Sequence, residues 1–180
     1  ALKYHIGMVH QHFMLIPTMT AWQNIVLGIE PTGKFHHLDK TRAKRMIAEA
    51  CETYKMALEP DQLAGSMTVG EQQRIEILKV LVREAKYIIL DEPTAVLTPQ
   101  ETEQLFKNIR SLQGMGKTVI FISHKLEEVM EIADEIMVLR LGEKIATLPR
   151  AEASPETLIR MMVGRDVRTD GYPKVVETGE

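Results

Sequence analysis

The sequence predicts an α/β fold with a mainly parallel sheet. Residues 87–90 and 118–122 are short apolar segments with several β-branched side chains, as is typical of buried parallel strands. The first segment runs into Asp91 and Glu92, and the second leads to His124. In open α/β sheets the carboxyl ends of the strands form the ligand-binding edge. These segments therefore predict both the fold class and the edge at which a site would lie.

The composition favours one globular domain without a strong charge. The chain has 180 residues, and 44% of them are hydrophobic, which is enough for a core of its own. Its formal net charge of -3 gives no basic surface of the kind that binds nucleic acid. The single cysteine, Cys51, cannot form an intrachain disulfide. We expect it to pack as a small hydrophobic residue, and this cysteine usage suits the cytosol.

Membrane contact is expected only through a protein partner. No apolar run approaches the roughly 18 residues that a membrane-spanning helix needs, and the N-terminal residues lack the form of a signal peptide. Ala1 is not an initiator, and a strand-like segment follows within a few residues. The chain is therefore expected to begin within a domain.

The N-terminal part predicts one strand and two helices. Residues 6–10 are the expected strand, and Gln11 follows it. A short helix capped by Thr20 comes next, and a longer helix capped by Asp39 is expected to reach about Leu58. The apolar face of the longer helix would carry Ala43, Ile47, Ala50 and Tyr54.

Two features of this part need separate interpretation. The adjacent His36 and His37 lack metal-ligand spacing with any Cys or acidic residue, so we interpret them as solvated loop residues. An apolar cluster after Gln11 fits either core packing or a partly exposed groove that receives a partner helix. The members of this cluster are Phe13, Met14, Leu15, Ile16, Met19 and Trp22.

The helix that precedes the acidic pair has a start with two possible roles. Thr68 and Glu71 have the spacing of a capping box. Gly70 lies in the first turn, where unpaired amides and the helix dipole favour an anion. A capping box needs no ligand, so the pattern by itself also fits a purely structural helix start.

The acidic pair also has two interpretations. An Asp at a strand end can hold Mg²⁺, and an adjacent Glu can orient or deprotonate the attacking water in phosphoryl transfer. Asp91 and Glu92 fit these roles. Together with Pro93, however, they also fit an acidic turn that simply ends the strand.

Beyond the acids, Thr98 is expected to cap a helix that runs to about Leu112. Pro99 would take the first helical position, and Glu101 would complete a second capping box. The apolar face of this helix would carry Leu105, Ile109 and Leu112.

Residues 116–118, Gly-Lys-Thr, imitate the end of a phosphate-binding P-loop. Such a loop needs a glycine five positions before its last glycine, and Ser111 stands there instead. A strand follows where a helix should begin. We therefore interpret Gly114 as a helix stop and Lys117 as a solvated side chain.

The C-terminal part predicts a helix, a hairpin and a final helix. Residues 125–133 are the first helix, and residues 136–141 and 144–148 form the hairpin. Ser154 is expected to cap the final helix, which runs to about Val163. The inward face of the first helix would carry Leu126, Val129, Met130 and Ala133.

These motifs, in this order, resemble the ATPase domain of an ABC transporter. The resemblance rests on the helix start at residues 67–71, the strand that ends in Asp91 and Glu92, the strand that leads to His124, and the segment beginning at Gln11. It implies ATP and Mg²⁺ as cofactors, with Asp91 and Gln11 on the metal. It also implies that Glu92 is the catalytic base and that Gln11 and His124 respond to the γ-phosphate.

The same resemblance implies that Thr68, Gly70 and Glu71 form a signature motif, which contacts nucleotide bound by an opposite domain. The usual motif is Leu-Ser-Gly-Gly-Gln. Here Val69 replaces a glycine and Glu71 replaces a neutral amide. Thr98 also departs from the pattern, because the corresponding loop more often ends in Asp.

Such a degenerate signature resembles the branch whose two fused ATPase domains drive import of simple sugars or nucleosides. The implied partners are transmembrane permease subunits and a second ATPase domain, without nucleic acid. The implied location is peripheral, on the cytoplasmic face of the plasma membrane. Residues 1–168 would form the ATPase domain, with residues 13–85 as its helical subdomain. Residues 169–180 would begin a linker.

The resemblance also implies what these residues lack. The P-loop lysine, its Mg²⁺-binding hydroxyl and the adenine-stacking aromatic would lie upstream of Ala1, so this chain alone is expected to be inactive. Two alternatives stay open. The first is a non-catalytic regulatory half, favoured by Val69, Glu71 and Thr98. The second is a DNA-repair ATPase of the ABC type, against which the lack of a heptad arm and a basic stripe argues.

Overall fold

The structure is a computed structural model that describes residues 2–33 and 37–164. The chain divides into two compact units, Ala1–His124 and Lys125–Glu180, and each is described by itself. His36, the expected domain end at Arg168 and the expected linker at 169–180 lie outside the described residues.

The first unit alternates strands with helices. In chain order its elements are β1 (Ile6–Val9), α1 (Ala21–Val26), α2 (Lys40–Tyr54), α3 (Val69–Leu81), β2 (Tyr87–Asp91), α4 (Pro99–Gly114) and β3 (Thr118–Ile122). The strands form one parallel sheet with β2 in the centre. Leu90 pairs with Val9 on one side and with Phe121 on the other. The expected α/β fold with a parallel sheet is confirmed, and the three strands end at one edge.

Helices cover one face of this sheet. α3 packs against β1, and α4 packs against β3. The covered face includes Val9, Ile88 and Leu90, which are buried. Phe106 of α4 meets Phe121 of β3 edge-on, with ring centroids 5.9 Å apart.

The opposite face of the sheet is less well covered. Met8 of β1 and Ile120 of β3 lie in the same row of the sheet, and Ile122 lies on the same face. All three are partly exposed, and Ile120 keeps 47% of its surface accessible. The sheet therefore has one packed face and one face with exposed apolar side chains.

α1 and α2 pack against α3 and form the helical part of the first unit. The expected caps are confirmed. Gln23 accepts a hydrogen bond from the Thr20 N–H at 2.8 Å, and Asp39 accepts one from the Arg42 N–H at 2.9 Å.

The expected end of α2 at Leu58 is wrong. The helix ends at Tyr54, because Lys55 takes the left-handed conformation with φ 55°. The Lys55 N–H donates to the carbonyls of Cys51 and Glu52, which closes the helix end. A non-glycine residue rarely takes this conformation, so the sequence carries no signal for the stop.

The interpretation of Lys117 as a solvated side chain is also wrong. Its Nζ donates to the Ala85 carbonyl at 2.8 Å and lies 5.9 Å from the centre of the Tyr54 ring. α4 does end at Gly114, two residues beyond the expected Leu112. The chain then turns through Gly116, with φ 77°, before entering β3. The lysine therefore satisfies a carbonyl in the connection that precedes β2.

The second unit contains α5 (Leu126–Ile132), β4 (Glu135–Arg140), β5 (Glu143–Pro149) and α6 (Pro155–Val163). β4 and β5 form the expected antiparallel hairpin. Ile136, Val138 and Leu158 form its core, against which the expected face of α5 packs. Ser154 caps α6 by accepting the Thr157 N–H at 3.2 Å. Within residues 2–33 and 37–164, no helix has the length and apolar character needed to cross a membrane.

Gly7 allows the close packing of β1 on α3, and this generates a stability prediction. A Cβ at this position would lie 2.6 Å from the Val80 Cβ and 3.2 Å from the Ala85 Cβ. Gly7→Ala should therefore lower the free energy of unfolding by about 1–3 kcal/mol, as overpacked sites do. Urea denaturation measures this change.

Gly114→Ala is the matched control, because a Cβ at Gly114 meets nothing within 4 Å. It should be neutral or stabilise the chain by less than ~1 kcal/mol, since alanine favours helix. Equal effects of the two substitutions would contradict the close approach at Gly7.

Candidate functional site

The end of β2 turns sharply at the acidic pair. Asp91 is the last residue of the strand, and Glu92 takes the left-handed conformation with φ 45°. The Glu92 N–H donates to the Ile122 carbonyl at 2.9 Å, so the turn is tied to β3. A left-handed conformation in a non-glycine residue costs of order 1 kcal/mol and is often found at functional sites.

This turn brings Glu92 and His124 into contact. The Nδ1 of His124 lies 2.8 Å from the Oε1 of Glu92. The ionised carboxylate can only accept, so the imidazole donates this hydrogen bond. Glu92 is largely buried, with 19% of its side chain exposed, whereas His124 is 72% exposed. The Glu92 Oε2 is buried and has no hydrogen-bond partner among the described residues.

Asp91 and Gln11 lie at the same edge of the sheet. Val9, the last residue of β1, is level with Leu90, so Gln11 follows β1 where Asp91 and Glu92 follow Leu90. Gln11 is exposed and Asp91 is half-buried. Within the described residues, no hydrogen bond joins either side chain to the Glu92–His124 pair. Sequence reasoning thus found four residues at one edge, of which two are in direct contact.

The donor set at this edge fits Mg²⁺ but does not form a complete site. Carboxylate oxygens and waters or phosphates are the ligands that Mg²⁺ prefers. Asp91 offers a strand-end carboxylate, and the Glu92 Oε2 is an oxygen still without a partner. The described parts of the chain contain no cluster of three or more His, Cys, Asp or Glu side chains arranged to hold a metal. A nucleotide would have to supply further oxygens.

The start of α3 has the expected capping box. The Thr68 Oγ1 accepts the Glu71 N–H at 3.3 Å, and the Glu71 Oε2 accepts the Thr68 N–H at 2.9 Å. The Glu71 carboxylate is therefore turned back into the cap. Arg74 lies one turn along the helix, with its Nη2 3.8 Å from the Glu71 Oε1.

Glu101 connects this helix start to the start of α4. Its Oε1 accepts the Gly70 N–H at 3.1 Å, while its Oε2 accepts the Thr98 N–H at 2.9 Å. A Cβ at Gly70 would lie 2.6 Å from the Glu101 Oε1, so a larger residue here would displace this carboxylate from its present position. Sequence reasoning recognised Glu101 as part of a cap but missed its contact with Gly70. The spacing of a capping box carries no information about a helix 31 residues away.

These hydrogen bonds lower the pKa of Glu101 below the ordinary value of a glutamate. The largest cause is the hydrogen bond from the Thr98 backbone. The hydroxyl of Thr98, the amide of Gly70 and the charge of Arg74 act in the same direction, whereas partial burial opposes them. Each of the favourable contacts stabilises the ionised carboxylate.

Gln73 is a second residue that sequence reasoning missed. It lies on the inward face of α3 and is only 3% exposed. Its Nε2 donates to the Pro93 carbonyl at 2.7 Å, which joins α3 to the turn after the acids. The available signal was a polar side chain on the buried face of a helix, because such groups need a partner inside the protein.

In the apolar cluster after Gln11, some side chains pack in the core and others are exposed, so each of the two interpretations fits part of it. Trp22 is buried in the core, whereas Met14 is 68% exposed. The buried Asn24 orders the segment between them. Its Oδ1 accepts the Ile16 N–H at 2.8 Å, and its Nδ2 donates to the Thr20 carbonyl at 3.1 Å.

The parallel sheet with its helices has the fold of ATP-binding cassette domains. Solved structures agree on the fold. The chain matches cbiO1 from Clostridium perfringens, part of the ABC transporter complex cbiONQ, with a TM-score of 0.70 and 24% identity, covering 87% of this chain and 62% of that one. It matches an ATP-binding cassette of an ABC transporter in its ADP conformation with a TM-score of 0.73 and 23% identity, covering 91% and 70%.

The profile of the ABC transporter family matches residues 1–95, and the chain belongs to this family. A similar curated relative is the nucleoside import ATP-binding protein NupA of Lactococcus lactis, which is 48% identical over 167 residues. That match covers 93% of this chain and 33% of NupA.

A ribose import ATP-binding protein of Rubrobacter xylanophilus, RbsA 3, is 40% identical over 181 residues, covering 100% of this chain and 36% of the relative. The chain therefore spans about a third of the length of the curated relatives it matches.

The lowered pKa of Glu101 predicts how stability depends on pH. Because the folded-state pKa lies below the unfolded one, the ionised group contributes stability above the unfolded value of about 4.3, and this is lost as pH falls through the folded pKa. The difference in unfolding free energy between the native chain and Glu101→Gln should be constant above about pH 5 and shrink in more acidic buffer.

Urea titrations between about pH 3 and pH 7 measure this difference. Glu59→Gln, at an exposed position of the same unit, serves as the control for general acid effects. A difference for Glu101→Gln that does not change with pH would rule out the stabilised carboxylate.

Proposed function

We propose that this chain is part of the ATP-hydrolysing subunit of an ABC importer for nucleosides or simple sugars. In that protein it couples ATP binding and hydrolysis to transport. The observation that carries the proposal is the Glu92–His124 contact at the end of β2, in a member of the ABC transporter family. The printed functions of the relatives, nucleoside import and ribose import, support the solute class.

Glu92 acts as the general base in this proposal. Its Oε1 contacts His124, and its Oε2, which has no hydrogen-bond partner among the described residues, would take a proton from an attacking water brought there with bound nucleotide. A largely buried carboxylate next to a hydrogen-bond donor is well placed for such a transfer. The exposed His124 would hydrogen-bond the γ-phosphate, so one contact would link the base to the presence of ATP.

Asp91 and Gln11 would hold Mg²⁺, which when bound neutralises charge on the phosphates. Thr68, Gly70 and Glu71 would contact nucleotide held by a second ATPase domain. Positioning and electrostatic stabilisation account for most of the rate in phosphoryl transfer, so these residues need only hold and orient.

The phosphate-binding loop would come from outside these 180 residues. The chain contains no complete P-loop, since Ser111 replaces the required glycine before residues 116–118. The curated relatives are about three times as long, which leaves room for that loop and for a second domain. The partners would be transmembrane permease subunits and the second ATPase domain. The assembly would be peripheral, on the cytoplasmic face of the plasma membrane, and nucleic acid would not be a partner.

One observation favours a second candidate function, a non-catalytic regulatory half. The start of α3 carries two carboxylates, those of Glu71 and Glu101, on amides that a phosphate would otherwise contact. Val69 and Thr98 also depart from the family pattern. In this candidate the chain docks to its partners and completes a weakened site on the opposite domain.

Glu92→Gln in the full-length protein tests the catalytic assignment. The substitution keeps the shape and the contact with His124 but removes the base, so turnover should fall by at least about 10²-fold. ATP should still bind and be retained. A steady-state phosphate-release assay and a filter-binding assay with labelled ATP measure the two effects.

Glu49→Gln is the control for this substitution, because Glu49 is exposed on α2 and pairs only loosely with Arg45, at 3.8 Å. Unchanged turnover in Glu92→Gln would exclude Glu92 as the base. Such a result, together with intact ATP binding, would favour the regulatory candidate.

A separate prediction concerns the ATP binding and hydrolysis of the 180-residue chain itself. It should neither bind ATP tightly nor hydrolyse it, whereas a version extended through a P-loop should do both at the same concentration with Mg²⁺. Isothermal titration with ATP and a phosphate-release assay compare the two. Turnover by the 180-residue chain would contradict the need for an external loop.

A further inference from the structure

The turn that contains Glu92 is held by several hydrogen bonds from different elements. The Glu92 N–H donates to the Ile122 carbonyl at 2.9 Å, and the Ala95 N–H donates to the Glu92 carbonyl at 3.2 Å. Pro93, between them, has no N–H, but its carbonyl accepts the Gln73 Nε2 at 2.7 Å. The hydrogen bond from Gln73 is the shortest of these three, and it comes from a side chain.

Gln73 is a polar residue at a buried position of α3. It is 3% exposed, and Ile77, one turn further along α3, is 2% exposed. Burying an amide is costly unless its hydrogen bonds are made. The Gln73 amide offsets this cost by its hydrogen bond to the Pro93 carbonyl, in the turn after the acids.

Glu92 itself needs external support. Its φ of 45° is a conformation that L-residues avoid, and such strain persists only where the surroundings over-determine it. The Ile122 carbonyl fixes the turn from β3, and Gln73 fixes it from α3. The carboxylate carried by this turn meets His124 at 2.8 Å.

We propose that Gln73 is a positioning residue for Glu92. Its amide holds the Pro93 carbonyl so that the turn keeps Glu92 in its left-handed conformation, with the carboxylate directed at His124. The inference rests on the proposed function, in which Glu92 is the base. Gln73 touches neither nucleotide nor water in this scheme, and it acts only through the turn.

Gln72 provides a matched control on the same helix. Its Nε2 donates to the Ala64 and Met67 carbonyls, each at 3.1 Å, and it makes no hydrogen bond with the turn after β2. Replacing either glutamine by methionine removes an amide donor while keeping the length and helix preference of the side chain. The two variants should therefore lose comparable stability in urea denaturation.

Their kinetics should differ. In the full-length protein, Gln73→Met should lower kcat for ATP hydrolysis by about tenfold to a hundredfold, because small displacements of a catalytic group have effects of this size. The KM for ATP should stay within about twofold, since binding does not depend on the base. Gln72→Met should leave both constants near those of the native protein.

A double substitution tests whether the effect passes through Glu92. In a Glu92→Gln background, Gln73→Met should reduce the remaining turnover no further, because residues that act as a unit are not additive. Independent, multiplicative losses would overturn the inference. An equal change of kcat in Gln72→Met and Gln73→Met would overturn it too, since both would then report only a loosened helix.

Gln73→Glu is the second variant if the methionine variant does not fold. An ionised carboxylate cannot donate to the Pro93 carbonyl, but the protonated acid can. The kcat of Gln73→Glu relative to the native protein should therefore rise as pH falls, and a constant ratio would contradict the proposal. If the native protein lacks turnover or is insensitive to Glu92→Gln, the proposed function fails and this inference with it. If the native protein is active and sensitive but Gln73→Met matches it, only this inference fails.

Discussion

The parallel pairing of β2 with both of its neighbours is the constraint on which the rest of the structure depends. Leu90 is level with Val9 and with Phe121, so the three strands end together. Polar residues follow each strand at the same edge of the sheet, where Glu92 and His124 lie 2.8 Å apart. A shift of one residue in either pairing would reverse which side chains face the helices, and the site would not form.

α3 transmits this arrangement to the rest of the first unit. Its first turn is closed by the Thr68–Glu71 box and by Glu101, and one turn later Gln73 reaches the Pro93 carbonyl. The helix start and the acidic turn are thus connected through a few hydrogen bonds and one rigid element. In the proposed function, the helix whose start would contact nucleotide on the opposite domain also supports the turn that carries the base.

Local signals in the sequence predicted most of the fold. Contacts between residues that are distant in sequence were not predicted. The caps at Thr68, Thr98 and Ser154 depend on residues three positions away, and each formed as expected. The end of α2 was misplaced, because the left-handed Lys55 is imposed by the surrounding structure and not by a glycine.

In the candidate site, too, some features could be predicted from the sequence and others could not. The strand end pointed to Asp91 and Glu92, and the resemblance to ABC ATPase domains added Gln11 and His124. All four follow strands that end at one edge, because parallel strands share a direction. These sequence features could not predict that Glu101 would meet Gly70, that Gln73 would meet Pro93, or that Lys117 would satisfy Ala85. Those contacts join elements 20 to 32 residues apart, and their partners are chosen by packing.

In the part of the chain that the structure describes, the sheet has outer strands with one neighbour each and one face with exposed apolar side chains, and this affects how its hydrogen bonds open. In the described residues β2 is paired on both sides, whereas β1 and β3 are each paired on one side only. Ile120 and Ile122 leave the adjoining face of β3 open to water. Because β2 alternates its hydrogen bonds between β1 and β3, separation of either outer strand exposes only part of the β2 amide protons to exchange. The strand that ends in the acidic pair therefore loses all of its ladder hydrogen bonds only when both neighbours separate from it.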